Sequence, residues 1–114
     1  MASRYVRLLD PTVLVASAKQ DKEDALDLGA YTTLQAQVRV LEIGGAGPGN
    51  VYLEHAAVNE PDAYVPIAGT NVLVTAGATG AVVPVTGFLR FVRWATDAGV
   101  VGAPVVLIDI VAKE

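Results

Sequence analysis

The sequence contains no cysteine. Disulfides, thiolate nucleophiles and cysteine-based zinc sites are therefore excluded, and the redox compartment is left open. There is one histidine, too few for the multi-histidine metal centre that a small β-fold enzyme would use. Charge is scarce at 18% of residues, against about 25% in an ordinary soluble domain. Only eight residues are Lys or Arg, and they are scattered; the net charge is -4. Phosphate binding runs on clustered Lys and Arg, so no nucleic-acid partner is expected. The longest charge-free stretch, Ala63 to Leu89, is broken by Pro66, Gly69, Gly77, Gly80, Pro84 and Gly87. It is no continuous apolar helix of about 20 residues, and no membrane partner is expected. The opening Met-Ala-Ser-Arg-Tyr-Val-Arg has no apolar h-region and predicts no secretory signal.

What is present is apolar. Hydrophobic residues make up 53% of the 114, and the mean hydropathy is +0.45. The length fits one domain, 1–114. A domain of this size hides only about two-thirds of the surface its unfolded chain exposes. Apolar residues are left over, which predicts burial against other chains.

Val is the commonest residue, and β-branched side chains favour strands. Gly and Pro recur at short intervals, so short strands at roughly 8–12-residue spacing predict an all-β sandwich or barrel. Strands are expected at Arg4–Leu9, ended by Asp10-Pro11, and at Thr12–Ala18. Lys19–Asp27 reads as a loop or single helical turn. In Thr33–Ile43, Leu34, Ala36, Val38 and Val40 alternate with Gln35, Gln37, Arg39 and Leu41, a half-buried pattern. With the loop Gly44–Asn50 and the returning strand Val51–Val58 it suggests a long hairpin. After a turn at Asn59–Asp62, strands follow at Tyr64–Ile67, Asn71–Thr75, Ala81–Val85, Phe88–Ala95 and Val105–Ala112. Pro84 puts its strand on an edge or at a bulge. About nine strands fit an antiparallel, jelly-roll-like β-sandwich, with a small closed β-barrel as the alternative.

Each candidate site has a plain reading beside it. His55 shares a strand face with Val51, Leu53 and Ala57, without an orienting carboxylate on that face, and reads as structural. Gly44-Gly45-Ala46-Gly47-Pro48-Gly49 lacks the helix and the Lys of a phosphate loop and reads as a turn. Asp21, Glu23, Asp24 and Asp27 read as a solvated acidic loop, with a calcium site as the alternative. Asp109, in an otherwise apolar strand, needs a partner; Arg39, Arg90 or Arg93 would serve, or a neighbouring subunit. In Phe88–Trp94 the period puts Phe88, Arg90, Val92 and Trp94 on one face, with Trp94 inside. Leu89, Phe91 and Arg93 then lie on the other, exposing an aromatic and an Arg, residue types enriched at interfaces; the alternative is that both Arg pair locally with sheet carboxylates. Tyr5, Arg7, Arg90, Phe91 and Arg93 are the candidate interface residues. No catalytic, cofactor-binding or metal residue is assigned, no cofactor is expected, and no enzyme activity is predicted.

The acidic loop, the segment Leu28-Gly29-Ala30-Tyr31-Thr32-Thr33-Leu34, the long alternating strand, Leu89-Arg90-Phe91-Val92-Arg93-Trp94 and the Val-rich last strand ending at Lys113 carry a resemblance. Over Ala25 to Lys113 the chain resembles the small β-sandwich structural proteins of tailed bacteriophages and phage-like particles, which decorate heads or build neck and tail parts. The resemblance carries no functional residue across. It implies a non-enzymatic virion component located in the virion, assembled in the host cytoplasm. The expected role is a capsid decoration or cement protein that binds the shell through apolar and edge-strand surface. Its expected partners are the major capsid or other virion proteins, with self-association. Residues 1–18 would form an N-terminal arm or edge strand, and Met1–Leu9 is the expected donor strand. The alternative function is a carbohydrate- or ligand-binding β-sandwich module.

Overall fold

A computed structural model describes residues 3–42, 49–74 and 81–114. Its strands are β1 (Ser3–Val13), β2 (Leu26–Asp27), β3 (Thr33–Glu42), β4 (Asn50–Ala56), β5 (Val65–Pro66), β6 (Val72–Leu73), β7 (Ala81–Thr86), β8 (Phe91–Thr96) and β9 (Val105–Lys113). One sheet has the order β1-β9-β3-β7, and the other β2-β8-β4-β5 with β6 also on β4. All pairings are antiparallel. Apart from β4 to β6, each strand is followed by one in the opposite sheet, which is jelly-roll topology. The expected sandwich forms, and the barrel does not close.

The alternation in β3 sets the core. Leu34, Ala36, Val38 and Val40 are buried, and Val106, Ile108, Ile110 and Ala112 of β9 lie beside them. Small residues stand opposite large ones: Ala36 registers with Ile110, and Leu34 with Ala112. That evens the volume of the layer. Val51 and Leu53 of β4 and Val92 of β8 belong to the same hydrophobic core.

Several expectations change. Thr33–Val58 is not a hairpin, because β3 pairs with β7 and β9 while β4 lies in the other sheet. The alternation specifies a face to bury and not the neighbour to pair with. Most of the Gly44–Asn50 loop lies outside the described residues, as does Thr75. Asp10-Pro11 does not end the first strand. Two register shifts, between Arg7 and Leu9 and between Leu9 and Thr12, absorb the proline on a sheet edge, where a missing N–H is tolerated. The strand expected at Thr12–Ala18 reaches only Val13. Lys19–Asp27 supplies one 3-10 turn, Lys22–Asp24, and then β2.

β5 and β6 share the edge of β4. Between them the Thr70 hydroxyl accepts a hydrogen bond from Leu53 N–H (3.0 Å) and donates to the Ile67 carbonyl (2.8 Å). A side chain thus replaces a missing backbone rung, satisfying a buried donor.

Candidate protein interface

The outer face of the β1-β9-β3-β7 sheet is built around Asp109. It stands opposite Arg7 of β1 and Gln37 of β3. Asp109 Oδ1 accepts from the Tyr5 hydroxyl at 2.7 Å and from Arg7 Nε at 2.9 Å, and Oδ2 accepts from Arg39 at 3.2 Å. Burial works against the charged carboxylate, but the hydrogen bonds from Arg7, Tyr5 and Arg39 outweigh it and hold Asp109 below the usual carboxylate range. Of the three arginines proposed as partners, Arg39 is one; Arg7 was not among them. It is brought there by the pairing of β1 with β9, which local side-chain period does not encode.

The Val-rich closing strand is apolar on its outer side for an internal reason in part. Leu107 is buried within the chain itself, with Arg39 registered against it. Tyr5, Val13, Val82 and Val111 stay exposed. Tyr5 and Arg7 therefore do lie together on an outward face.

Arg90 and Phe91 occupy a separate corner. Arg90 precedes β8 and forms a bidentate pair with Asp27, at 3.0 and 2.9 Å. Its guanidinium also lies over the Phe91 ring, 5.0 Å from the centroid. The hydrogen bond from Arg90, followed by that from Gly29 N–H, holds Asp27 below its ordinary value. Arg4 donates to the Asp27 carbonyl at 3.3 Å, and a cleft of about 490 Å³ opens between Arg4, Asp27, Tyr31 and Arg90.

Arg93 is not exposed beside Phe91, as the period suggested. It is 3% exposed, and its Nε donates to Glu54 Oε1 at 2.8 Å. The Tyr64 ring stacks over it, 4.0 Å from ring centroid to guanidinium carbon. Residues 59–64 cover this side of the sheet. Tyr64 donates its hydroxyl to Asn59, and Asn59 in turn donates to the Lys22 carbonyl. Strand period assigns a face but does not say which loop folds over it.

The other candidates fall into structural roles. His55 Nδ1 accepts from Leu89 N–H at 3.1 Å, and burial pushes its pKa down. The four acids of the 21–27 segment do not converge: Asp21 caps the turn by accepting from Glu23 N–H, and Asp27 is bound to Arg90. Among the described residues no group of three or more metal-ligating side chains is assembled. No helix among them is long and apolar enough to cross a membrane. A second cleft, of about 440 Å³, is lined by Arg7, Asp10, Lys19, Asp21, Asp24 and Trp94. Trp94 is half-buried and packs on the core, so the expectation of Trp94 on the inner face is met.

The structure defines a jelly-roll β-sandwich. No protein-family model matches the sequence, and no curated protein matches it significantly. Among solved structures the chain is similar to the SPBc2 prophage-derived protein YomS, with a TM-score of 0.62 and 10% identity, covering 97% of this chain and 92% of that one. At that identity the likeness establishes the fold. The cleaved adhesin domain of Lys-gingipain from Porphyromonas gingivalis also matches, with a TM-score of 0.48 and 12% identity over 95% of this chain and 70% of that one.

Proposed function

We propose that this chain is a non-enzymatic structural component of a virion or phage-like particle, a decoration or cement protein that binds an assembled shell. The observation that carries the reading is end-to-end likeness in fold to a prophage-derived protein. Support also comes from the outer sheet face, where Tyr5, Val82 and Val111 stay exposed around a hydrogen-bonded charge cluster. Burying such apolar area across neighbouring capsomers adds about 25 cal/mol per Å² before the costs of association. The added energy would resist internal pressure. β1 is paired with β9 as part of the sandwich, so the shell-binding surface in this reading is the sheet face and not a donated Met1–Leu9 strand.

Co-sedimentation tests this. Purified protein is mixed with capsids assembled from the major capsid protein of the same source. Saturable binding, reduced by Tyr5→Lys and Val111→Lys, is expected; an absence of binding to capsids overturns the reading.

One feature favours a second reading, a carbohydrate- or ligand-binding module. Trp94 lines the 440 Å³ cleft together with Asp10, Asp21 and Asp24, a combination suited to stacking and hydroxyl recognition. Trp94 is the chain's one tryptophan, so its fluorescence reports directly on that cleft. A saturable change on titration with oligosaccharides supports the module; an unchanged spectrum removes it.

A further inference from the structure

The two edges of the four-stranded sheet, β1 and β7, are built differently. β1 carries Arg4, Arg7, Asp10 and Pro11, and its register on β9 slips twice. The Leu8 carbonyl is capped by the Gln20 amide at 3.2 Å. Charge, bulges and proline are devices that keep further strands from adding; of these only the proline has a counterpart on β7, at Pro84. β7 has the sequence Ala-Val-Val-Pro-Val-Thr, without charge, and among the described residues it pairs with β3 alone. With no described residue on its other side, that side is a row of main-chain donors and acceptors, from which Pro84 removes at most one donor. Outer-face neighbours in register, Thr33, Gln35 and Gln37, are neutral as well. Val82 is 56% exposed. A shallow hollow of about 260 Å³, lined in part by Gln35, Pro84, Thr86 and Val111, lies alongside.

We infer that β7 is a self-association edge, where two copies pair antiparallel about a two-fold axis into one eight-stranded sheet, four strands from each copy. The occupant is a second copy because of charge. Molecules of net charge -4 repel unless their meeting surfaces are neutral. The excess acid is elsewhere: Asp21, Glu23, Asp24, Glu60 and Asp62, with Lys22, lie on or beside the two 3-10 turns, leaving seven acids against seven bases in the rest of the chain. The second turn meets Arg93 of the other sheet through the Pro61 carbonyl, and Asn59 beside it ties to Lys22 of the first turn. β7 thus meets its own copy without like-charge repulsion, and Val-rich strands pair well with themselves. An isologous joint also closes at two copies.

The test uses the full chain across a concentration series, by light scattering and by amide exchange. The wild-type mass is expected to double from 11.8 kDa, and amides 81–86 to exchange more slowly as concentration rises. Val82→Lys sets two ammonium groups at the joint and weakens it roughly tenfold or more, whereas Val82→Thr retains it. Tyr5→Lys, on β1 at the opposite edge of the sheet, leaves the mass as in wild type. A mass of 11.8 kDa throughout, concentration-independent exchange at 81–86, or equal dissociation by Tyr5→Lys overturns the inference. The measurement is made without particles, so its failure leaves capsid binding untouched, and loss of capsid binding leaves the joint untouched.

Discussion

Glu54 of β4 and Arg93 of β8 face each other in register and form an ion pair with both side chains almost fully buried, at 2% and 4% exposure. Lys19 adds a longer contact to Glu54, at 3.5 Å. Removing one member of such a pair strands the other in low dielectric. Arg93→Met should cost about 3–5 kcal/mol. Replacing both, Glu54→Leu with Arg93→Met, should cost less than the single change. Urea denaturation of the two variants decides it; a double variant less stable than Arg93→Met refutes the account.

Asp109 anchors the outer face through three donors. Hydrogen bonds to a charged group contribute about 1.5–3 kcal/mol, so Asp109→Ala should lower stability by about 2 kcal/mol. Its pKa is depressed on folding, so the stabilisation is complete above the ordinary value of 3.8. It is lost as pH falls through the lower folded value. Asp27 and Asp97 behave alike. At Asp97 burial opposes the charge, and the Asn50 side-chain amide, Asn50 N–H and Gly99 N–H overcome it. Denaturation midpoints measured from pH 5 to pH 2 should fall, and less steeply for Asp109→Asn.

His55 gives a second, higher pH window. Burial lowers its pKa in the folded chain, and its Nδ1 acts as an acceptor. Below the ordinary value of 6.5 the unfolded chain takes up a proton that the folded chain refuses, so stability falls as pH drops from there through the folded pKa. Thermal melts between pH 7 and pH 5 should show this loss in wild type and a flatter profile in His55→Gln. Parallel profiles would count against it.

Gly49 and Gly69 should respond differently to alanine. A Cβ on Gly49 would run into the backbone nitrogen of Val100, where the 97–100 turn is tied to Asn50 by Asp97. Backbone has to move, so Gly49→Ala should cost about 3 kcal/mol. At Gly69 a Cβ meets nothing within 4 Å, but φ is +79°. Gly69→Ala should cost about 1 kcal/mol from backbone strain alone. Guanidinium denaturation gives both values, and equal losses would contradict the distinction.

The sequence by itself determined most of the strand-forming segments, though not the bounds of β1 or the presence of β2, and with them the inward residues of β3 and the need for a partner at Asp109. It did so because side-chain period is a local property of a strand and desolvation of a carboxylate needs no partner identity. The missing cysteines and scarce charge set the chemistry the chain lacks. Only the tertiary structure decided that β3 and β4 belong to different sheets, that Arg7 joins Arg39 on Asp109, and that the 59–64 segment seals Arg93 beneath Tyr64. Each of these is a non-local pairing, chosen by how two sheets and their loops fill one volume. The apolar excess divided the same way. Leu107 is covered within the chain, while Val82, on an edge with no described neighbour, is left outside.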